Sequence, residues 1–283
     1  MRRLHAFSVD LEDWYHPELV VRAGGAASAQ PRIEQATRSI LSLLGKNRQR
    51  ATFFVLGDLA RGHPELIREI HDAGHEIACH GMSHKPLWEH DPKSFARELK
   101  QFDGVLRDVL PGAGAKGYRA PTFSLDSSTA WALDVLADHG YEYDSSIFPI
   151  NNRLYGLSGA PLGIYRPASA DLRRHDGNGK IVEFPPTVLA VGPVRIPIGG
   201  GAYFRFLPAA LWLMALRVVE SNRPAMIYVH PWECDPLTPR LPLRFYPKLV
   251  TYFGIKRALN KLGRLMKEFR FSRIDEVLGI EQS

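Results

Sequence analysis

Only two cysteines, Cys79 and Cys234, occur in the 283 residues, so no disulfide framework holds this chain together. Small buried thiols in a reducing compartment are the expected reading of both. No apolar run approaches the ~20 residues of a membrane-spanning helix. Met1-Arg2-Arg3-Leu4 leads at once into an apolar run that reaches Asp10, which leaves no room for a removable signal peptide. Cytoplasmic residence is therefore expected. The excess of positive charge is slight, 36 Lys and Arg against 30 Asp and Glu, and no basic stripe accompanies a nucleic-acid module, so nucleic acid is not expected as a partner. Gly199-Gly200-Gly201 lacks the following Lys-Ser/Thr of a phosphate loop and reads as a flexible turn. With 45% hydrophobic and 23% charged residues, the chain has the composition of a folded globule with a sizeable core. No internal repeat and no low-complexity segment is present.

What the chain does have is alternation. His5–Asp10 reads as a buried strand, and residues 35–46 carry Ala36, Ile40, Leu41, Leu43 and Leu44 at helical spacing. Strands are expected over Ala51–Leu56, Glu76–Cys79, Gly117–Ala120, Tyr141–Tyr143, Ala225–His230 and Arg270–Ile274. Between them, helices are expected over Pro64–Ala73, from Asp91-Pro92 to Leu110, from Asp126 to Gly140, over Leu207–Val219 and over Ile255–Phe269. Such alternation predicts a parallel α/β sheet, open or closed into a barrel, with chemistry at the C-terminal ends of its strands. From about 149 to 208 the pattern breaks into Pro- and Gly-rich sequence, read as loops and hairpins inserted over the site, with Lys180–Val188 an extended edge segment. The whole of 1–283 is expected to form one domain, with an extension from about 236 to 283.

Polar groups gather at those expected strand ends. His80 and His84 stand four residues apart, a spacing that turns two imidazoles towards one divalent ion. Asp10-Leu11-Glu12-Asp13 ends the first strand, Arg119-Ala120-Pro121 follows the fourth, Asp144 ends the fifth, and His230-Pro231-Trp232 follows a late apolar run. These segments, with Ala51-Thr52-Phe53-Phe54-Val55, His75-Glu76-Ile77, Tyr118-Arg119-Ala120-Pro121, Tyr143-Asp144-Ser145-Ser146 and Val229-His230-Pro231, resemble the ordered motifs of the polysaccharide deacetylase superfamily (NodB homology, carbohydrate esterase family 4). The resemblance spans roughly residues 5 to 235. Gly199–Arg205 and Pro239–Tyr246 further resemble the subgroup found with exopolysaccharide and exosortase loci.

The resemblance implies a distorted (β/α)-barrel and a metal-dependent N-deacetylase acting on N-acetylated sugars of an exopolysaccharide or its lipid-linked precursor. Amide hydrolysis needs an activated water, a stabilised oxyanion and a proton for the departing amine. A divalent metal, zinc by expectation, supplies the first two, a carboxylate takes the water's proton, and a histidine protonates the nitrogen. Asp10 is then the base, His80 and His84 are ligands, His230 is the acid, and Arg119 orients Asp10 through a charge-assisted hydrogen bond. The family's common pattern has two adjacent aspartates, whereas Leu11 follows Asp10 here. Strand alternation puts Asp10 and Glu12 on one face, which favours Glu12 as third ligand; Asp13 serves if the loop curls inward.

Other assignments keep alternatives. Arg119 pairs with Asp144 or a helix end if it lies off the site, and Asp144 either buffers His230 or Arg119 or merely forms a turn. Trp232, Tyr203 and Phe204 form a sugar-stacking wall or belong to the core, and His75 and His90 are core or solvated histidines. Competing functions are a metal-free amidase, a silent carbohydrate-binding relative, and a two-histidine, one-carboxylate iron oxygenase, the last disfavoured by the βα alternation. The basic stretch Lys256, Arg257, Lys261, Arg264 and Lys267 allows at most peripheral, salt-sensitive contact with anionic lipid. Oligomeric state is not legible.

Overall fold

The computed structural model describes residues 3–22, 30–152 and 154–280; Met1 and Arg2, used above in the expectation of no leader, lie outside them. Five strands open the chain. β1 (Leu4–Leu11) leads through the short α1 (Glu18–Val21) to α2 (Ile33–Lys46), and β2 (Thr52–Val55) leads to α3 (Gly57–Gly62) and α4 (Pro64–Asp72). β3 (Glu76–Cys79) leads to α5 (Pro92–Val109), β4 (Gly117–Tyr118) to α6 (Ala132–Asp138), and β5 (Tyr143–Asp144) follows. Local chemistry sets several of these boundaries. Pro64 and Pro92 occupy first-turn positions where a missing N–H costs nothing, and Asp91 and Ser94 form a reciprocal capping box at the start of α5. The helix expected from Asp126 begins only at Ala132, because the Asp126 amide bonds the Thr129 hydroxyl (2.9 Å) and the Asp126 carboxylate accepts from Ser128, closing a turn first.

The later half adds a hairpin of β6 (Pro167–Ala168) and β7 (Asp171–His175), the strand β8 (Val182–Glu183), a second hairpin of β9 (Val188–Val191) and β10 (Val194–Pro197), then α7 (Gly201–Phe206) and α8 (Ala209–Glu220). β11 (Met226–Val229), α9 (Phe245–Tyr252), α10 (Ile255–Glu268), β12 (Arg270–Ser272) and α11 (Ile274–Leu278) complete it. The two hairpins fall inside the segment read as an insertion. The short helices α1, α3, α7, α9 and α11 were not anticipated, since runs of four to eight residues carry too little periodicity.

One parallel sheet runs in the order β11-β1-β2-β3-β4-β5-β8, and β12 pairs the first residues of β1. It curls into a half-barrel surrounded by helices. β1 is its axis: Ala6–Val9 pair β11, Ser8–Leu11 pair β2, and Leu4–Ala6 pair β12. Period-two alternation sends Phe7, Val9 and Leu11 into the apolar layer beneath the helices, together with Phe53, Val55, Ile40 and Leu66. It sends Ser8 and Asp10 to the barrel interior beside Ala6, Phe54, Ala78 and Met226.

Strands β8 and β11 are not paired, and the barrel is bridged there by irregular chain. Pro185-Pro186 carries the backbone across, after which the Thr187 amide donates to Met226 O (3.2 Å) and the Tyr228 amide to Gly199 O (2.8 Å). Gly200 then pairs Tyr228. The triple glycine is therefore not the flexible turn expected from its composition. A Cβ on Gly200 would stand 1.9 Å from Tyr228 O, and Gly201 opens α7 at φ +57°. Glycine is demanded by close backbone approach. Below it, α10 buries Ile255, Ala258, Leu262, Leu265 and Met266, and the Lys261 ammonium donates to the carbonyls of Phe204 and Leu207 at the end of α7. Lys261 is thus tied to α7, whereas Lys256, Arg257, Arg264 and Lys267 remain exposed. Among the described residues no helix is long and apolar enough to cross a membrane.

Candidate active site

Asp10 stands one residue before the end of β1, His80 directly after β3, Arg119 directly after β4, Asp144 at the end of β5, and His230 directly after β11. The loop that carries the histidine pair is not helical. Gly81 (φ +81°) and His84 (φ +63°) are both left-handed, a conformation a side chain adopts at a cost of about 1–3 kcal/mol and seldom without reason. Backbone bonds pin it: the Gly57 and Asp58 amides at the start of α3 donate to Gly81 O and Met82 O (3.0 and 2.9 Å), and the Met82 amide donates to Glu98 on α5 (2.8 Å).

This brings three ligand atoms together. His80 Nδ1 lies 2.7 Å from the Arg119 carbonyl, which can only accept, so the proton sits on Nδ1 and Nε2 presents a bare lone pair. That lone pair meets Glu12 Oε1 at 3.0 Å, and His84 Nε2 meets the same oxygen at 2.9 Å. Burial works against charge on Glu12, but His84 and His230 outweigh it and hold the carboxyl well below the usual carboxylate range. Burial likewise opposes charge on His84, yet Glu12 raises its pKa above the ordinary value. A carboxylate oxygen and two imidazole nitrogens facing one another form a donor set that could hold a cation. Two histidines and one carboxylate with all donor atoms within 4.8 Å fit a divalent metal with open positions.

The third-ligand alternative falls elsewhere. Asp13 accepts from the amides of Trp14 (2.8 Å), Arg32 (2.8 Å) and Ile33 (3.0 Å). It caps α2, whose own N-terminal residue Arg32 supplies no side-chain cap. Asp13 as a ligand is corrected on this ground: its carboxylate serves the amides of Trp14 and the start of α2, and it is not among the ligand atoms gathered with His80 and His84.

On the other side of the cluster, Arg119 is fully buried and donates to the Asp10 carboxylate, to the Ser8 hydroxyl (2.8 Å) and to Ser145 through its carbonyl (3.0 Å) and hydroxyl (2.8 Å). Its guanidinium lies 4.0 Å over the Phe54 ring. Asp10 Oδ2 lies 3.8 Å from His230 Nε2, which is also 3.8 Å from Glu12 Oε1. His230 Nδ1 bonds Glu233 Oε2 (2.9 Å), and Glu233 Oε1 accepts from Arg205 Nε (2.8 Å). Burial disfavours the imidazolium, but Glu12, Glu233 and Asp10 overcome that and raise the His230 pKa to about 9. Glu233 is depressed to about 2, burial notwithstanding, by Arg205 and His230. Sequence reading missed both Glu233 and the role of Arg205; the i, i+3 spacing of His230 and Glu233 around Pro231 was the available signal.

Asp144 requires correction as a catalytic candidate. Fully buried, it accepts from the Ser146 hydroxyl (2.6 Å) and amide (3.0 Å), and Ser146 in turn accepts from the Ala120 amide (2.7 Å). Burial raises its pKa. It braces the Arg119–Ala120 turn and does not line the cleft. The cleft itself holds about 410 Å³, with Asp10, Glu12, His80, His84 and His230 at its base. Tyr155 and Tyr203 from the inserted segment, with Tyr246 and Leu249 from α9, form its walls. Trp232 lines it too, stacked on His230 (5.5 Å, 26°). Phe204 does not: it is wholly buried against Trp212 (4.9 Å), so the expected aromatic wall loses one member to the core. His75 is a core histidine whose Nδ1 accepts from the Ala51 amide (3.1 Å), and His90 packs against Phe95 and Glu98.

Comparison with known proteins places two family models on the chain. Residues 28–143 match the polysaccharide deacetylase model. This segment is a polysaccharide deacetylase (NodB homology) domain. Its remaining part, residues 145–279, matches a domain of unknown function (DUF3473). A chitooligosaccharide deacetylase from Rhizobium leguminosarum bv. trifolii is 34% identical over 101 residues, 36% of this chain and 44% of that protein. A peptidoglycan deacetylase from Helicobacter pylori is 32% identical over 108 residues, 38% of this chain and 36% of that protein. The chain thus aligns with less than half of the length of these polysaccharide deacetylase relatives. A candidate polysaccharide deacetylase from Mycobacterium smegmatis shares the fold with a TM-score of 0.63 at 22% identity, over 97% of this chain and 88% of that one. A family pseudoenzyme from Bacillus anthracis does so at 0.53 and 12% identity, over 100% and 67%. Polysaccharide deacetylase architecture alone therefore leaves activity to be argued from the site.

Proposed function

We propose that the protein is a metal-dependent hydrolase that removes acetyl groups from N-acetylated sugars of an exopolysaccharide or its lipid-linked precursor, within one catalytic domain built from both halves of the chain. The observation that carries the reading is the sharing of Glu12 Oε1 by His80 and His84, with Asp10 and His230 standing together beside it. Glu12, His80 and His84 would hold the metal, which when bound polarises the acetyl carbonyl and makes its water acidic; zinc suits this donor set.

The chain's own groups do the rest. Asp10, gripped by Arg119, receives the proton from the attacking water. His230 delivers a proton to the departing amine nitrogen, and Glu233, anchored by Arg205, fixes its Nδ1–H so that Nε2 faces the reaction. Tyr155, Tyr203 and Trp232 offer ring faces for a saccharide. The retained base and acid weigh against a silent relative, and the parallel sheet weighs against an iron oxygenase. The names of the relatives, a chitooligosaccharide and a peptidoglycan deacetylase, agree with an N-acetylated sugar substrate. The test is incubation of the metal-loaded protein with N-acetylated chito-oligomers, followed by mass spectrometry. Stepwise loss of acetyl groups, abolished by chelator and restored by zinc, is expected. Unaltered oligomers, or turnover indifferent to chelator, would refute the reading.

A further inference from the structure

Beside the cleft lies a second cavity of about 740 Å³, between the α7–α8 junction and the α9–α10 turn. Arg205 and Phe206 line both, so the two share a wall. The second cavity is lined by six cations, Arg205, Arg240, Lys256, Arg257, Lys261 and Arg264, and by no carboxylate. Arg205 is committed to Glu233, and Lys261 to backbone carbonyls. Arg240, Lys256, Arg257 and Arg264 make no ion pair among the described residues. The first turn of α10, which adjoins them, also lacks an acid. Like charges crowded around one concavity repel one another unless an anion enters.

The grouping of the cations suits a compact anion. Three of the four cations come from α10 and Arg240 from the segment before α9, so two elements bring positive charge to one cavity, which suits several charges on one group, as in a diphosphate. Part of the lining is apolar: Phe206 and Phe253 stack at 4.6 Å and both are partly exposed. Resting on the deacetylase reading, we propose that this cavity binds the diphosphate of a saccharide diphosphate. The anionic end is held here while the N-acetylated sugar reaches Glu12, His80 and His84 past the Arg205–Phe206 wall.

Two measurements test this. Calorimetry of inorganic pyrophosphate with the metal-loaded full chain should show saturable, salt-sensitive binding, weakened about tenfold or more in Arg257→Ala/Arg264→Ala. Chelation of the metal would be equal in both proteins, so equal heats overturn the site. Acetate release is then compared for neutral chitobiose, uridine diphosphate N-acetylglucosamine and a short-chain prenyl diphosphate N-acetylglucosamine in detergent. The diphosphates should show a KM roughly tenfold below that of chitobiose, with the advantage lost in the double variant and kcat on chitobiose unchanged. A lower KM for the prenyl form assigns the lipid source, and a lower KM for the uridine form assigns the nucleotide. Equal KM values with turnover intact sink the diphosphate proposal and leave deacetylation standing. Pyrophosphate binding lost in the variant, with no acetate from any substrate, keeps the anion site and sinks the deacetylase reading.

Discussion

Glu12 and Asp13 are adjacent carboxylates with opposite fates, and the difference lies in what each one touches. Glu12 faces imidazoles; Asp13 faces the open amides of α2. Glu12→Gln is expected to lose bound metal, as read by elemental analysis, while Asp13→Ala keeps metal and loses about 1–3 kcal/mol of stability, the worth of a buried helix cap. Metal loss in Asp13→Ala and not in Glu12→Gln would reverse the assignment. Asp10→Asn should retain metal and lose about 10²–10⁴-fold in turnover, because the proton of the attacking water then has no acceptor. For His230, the carboxylates around it lift its pKa, so its proton is present at neutral pH and lost on the alkaline side. Removing one of them, in Glu233→Gln, should move the alkaline limb of kcat/KM to lower pH and reduce activity about 10–10²-fold. A limb that stays in place would show that Glu233 does not govern this histidine.

At the scale of the element, what was readable was whatever repeats. Strands β1, β2, β3 and β11 are uninterrupted buried runs with β-branched and aromatic residues, and their ends marked Asp10, His80 and His230 in advance. The two-residue strands β4 and β5 were legible as short runs over Gly117–Ala120 and Tyr141–Tyr143 between helical segments, with their ends misplaced by one or two residues. The role of Asp144 was not legible, since a buried carboxylate held by Ser146 and one aimed into a cleft look identical in sequence. Nor was the crossing of the barrel gap, because Gly200 is required by the carbonyl of Tyr228, 28 residues away, and not by any local turn. Gly200→Ala is expected to cost about 1–3 kcal/mol or more, since a methyl group meets fixed backbone. Thermal melts of the variant measure this, and a wild-type midpoint would mean that α7 can shift away.

Across the whole molecule, buried acids shape stability. Glu76 accepts from the Thr52 hydroxyl (2.5 Å) and the Tyr143 hydroxyl (2.8 Å) near Asp275. Burial first, and the Asp275 charge second, push its pKa up to about 8 from an ordinary 4.5. A carboxyl that holds its proton more tightly when folded stabilises fully below about pH 4.5, and that contribution disappears as pH rises through about 8. The melting temperature should therefore decline from mildly acidic to mildly alkaline pH, and Glu76→Gln should flatten the decline. An unchanged slope in the variant would place the origin elsewhere.

The two family matches meet between residues 143 and 145, at β5 and within a continuous sheet. The seam therefore falls between strands that share one sheet. β1 takes one partner from the first half and two from the second. His230, Glu233 and Arg205 all lie beyond the seam, and Lys261 braces the helix that carries Arg205. A chimaera that grafts residues 28–143 onto a shorter relative would inherit two imidazoles without their proton donor, so exchange between such proteins has to move the strut, the bridge and the acid as one piece.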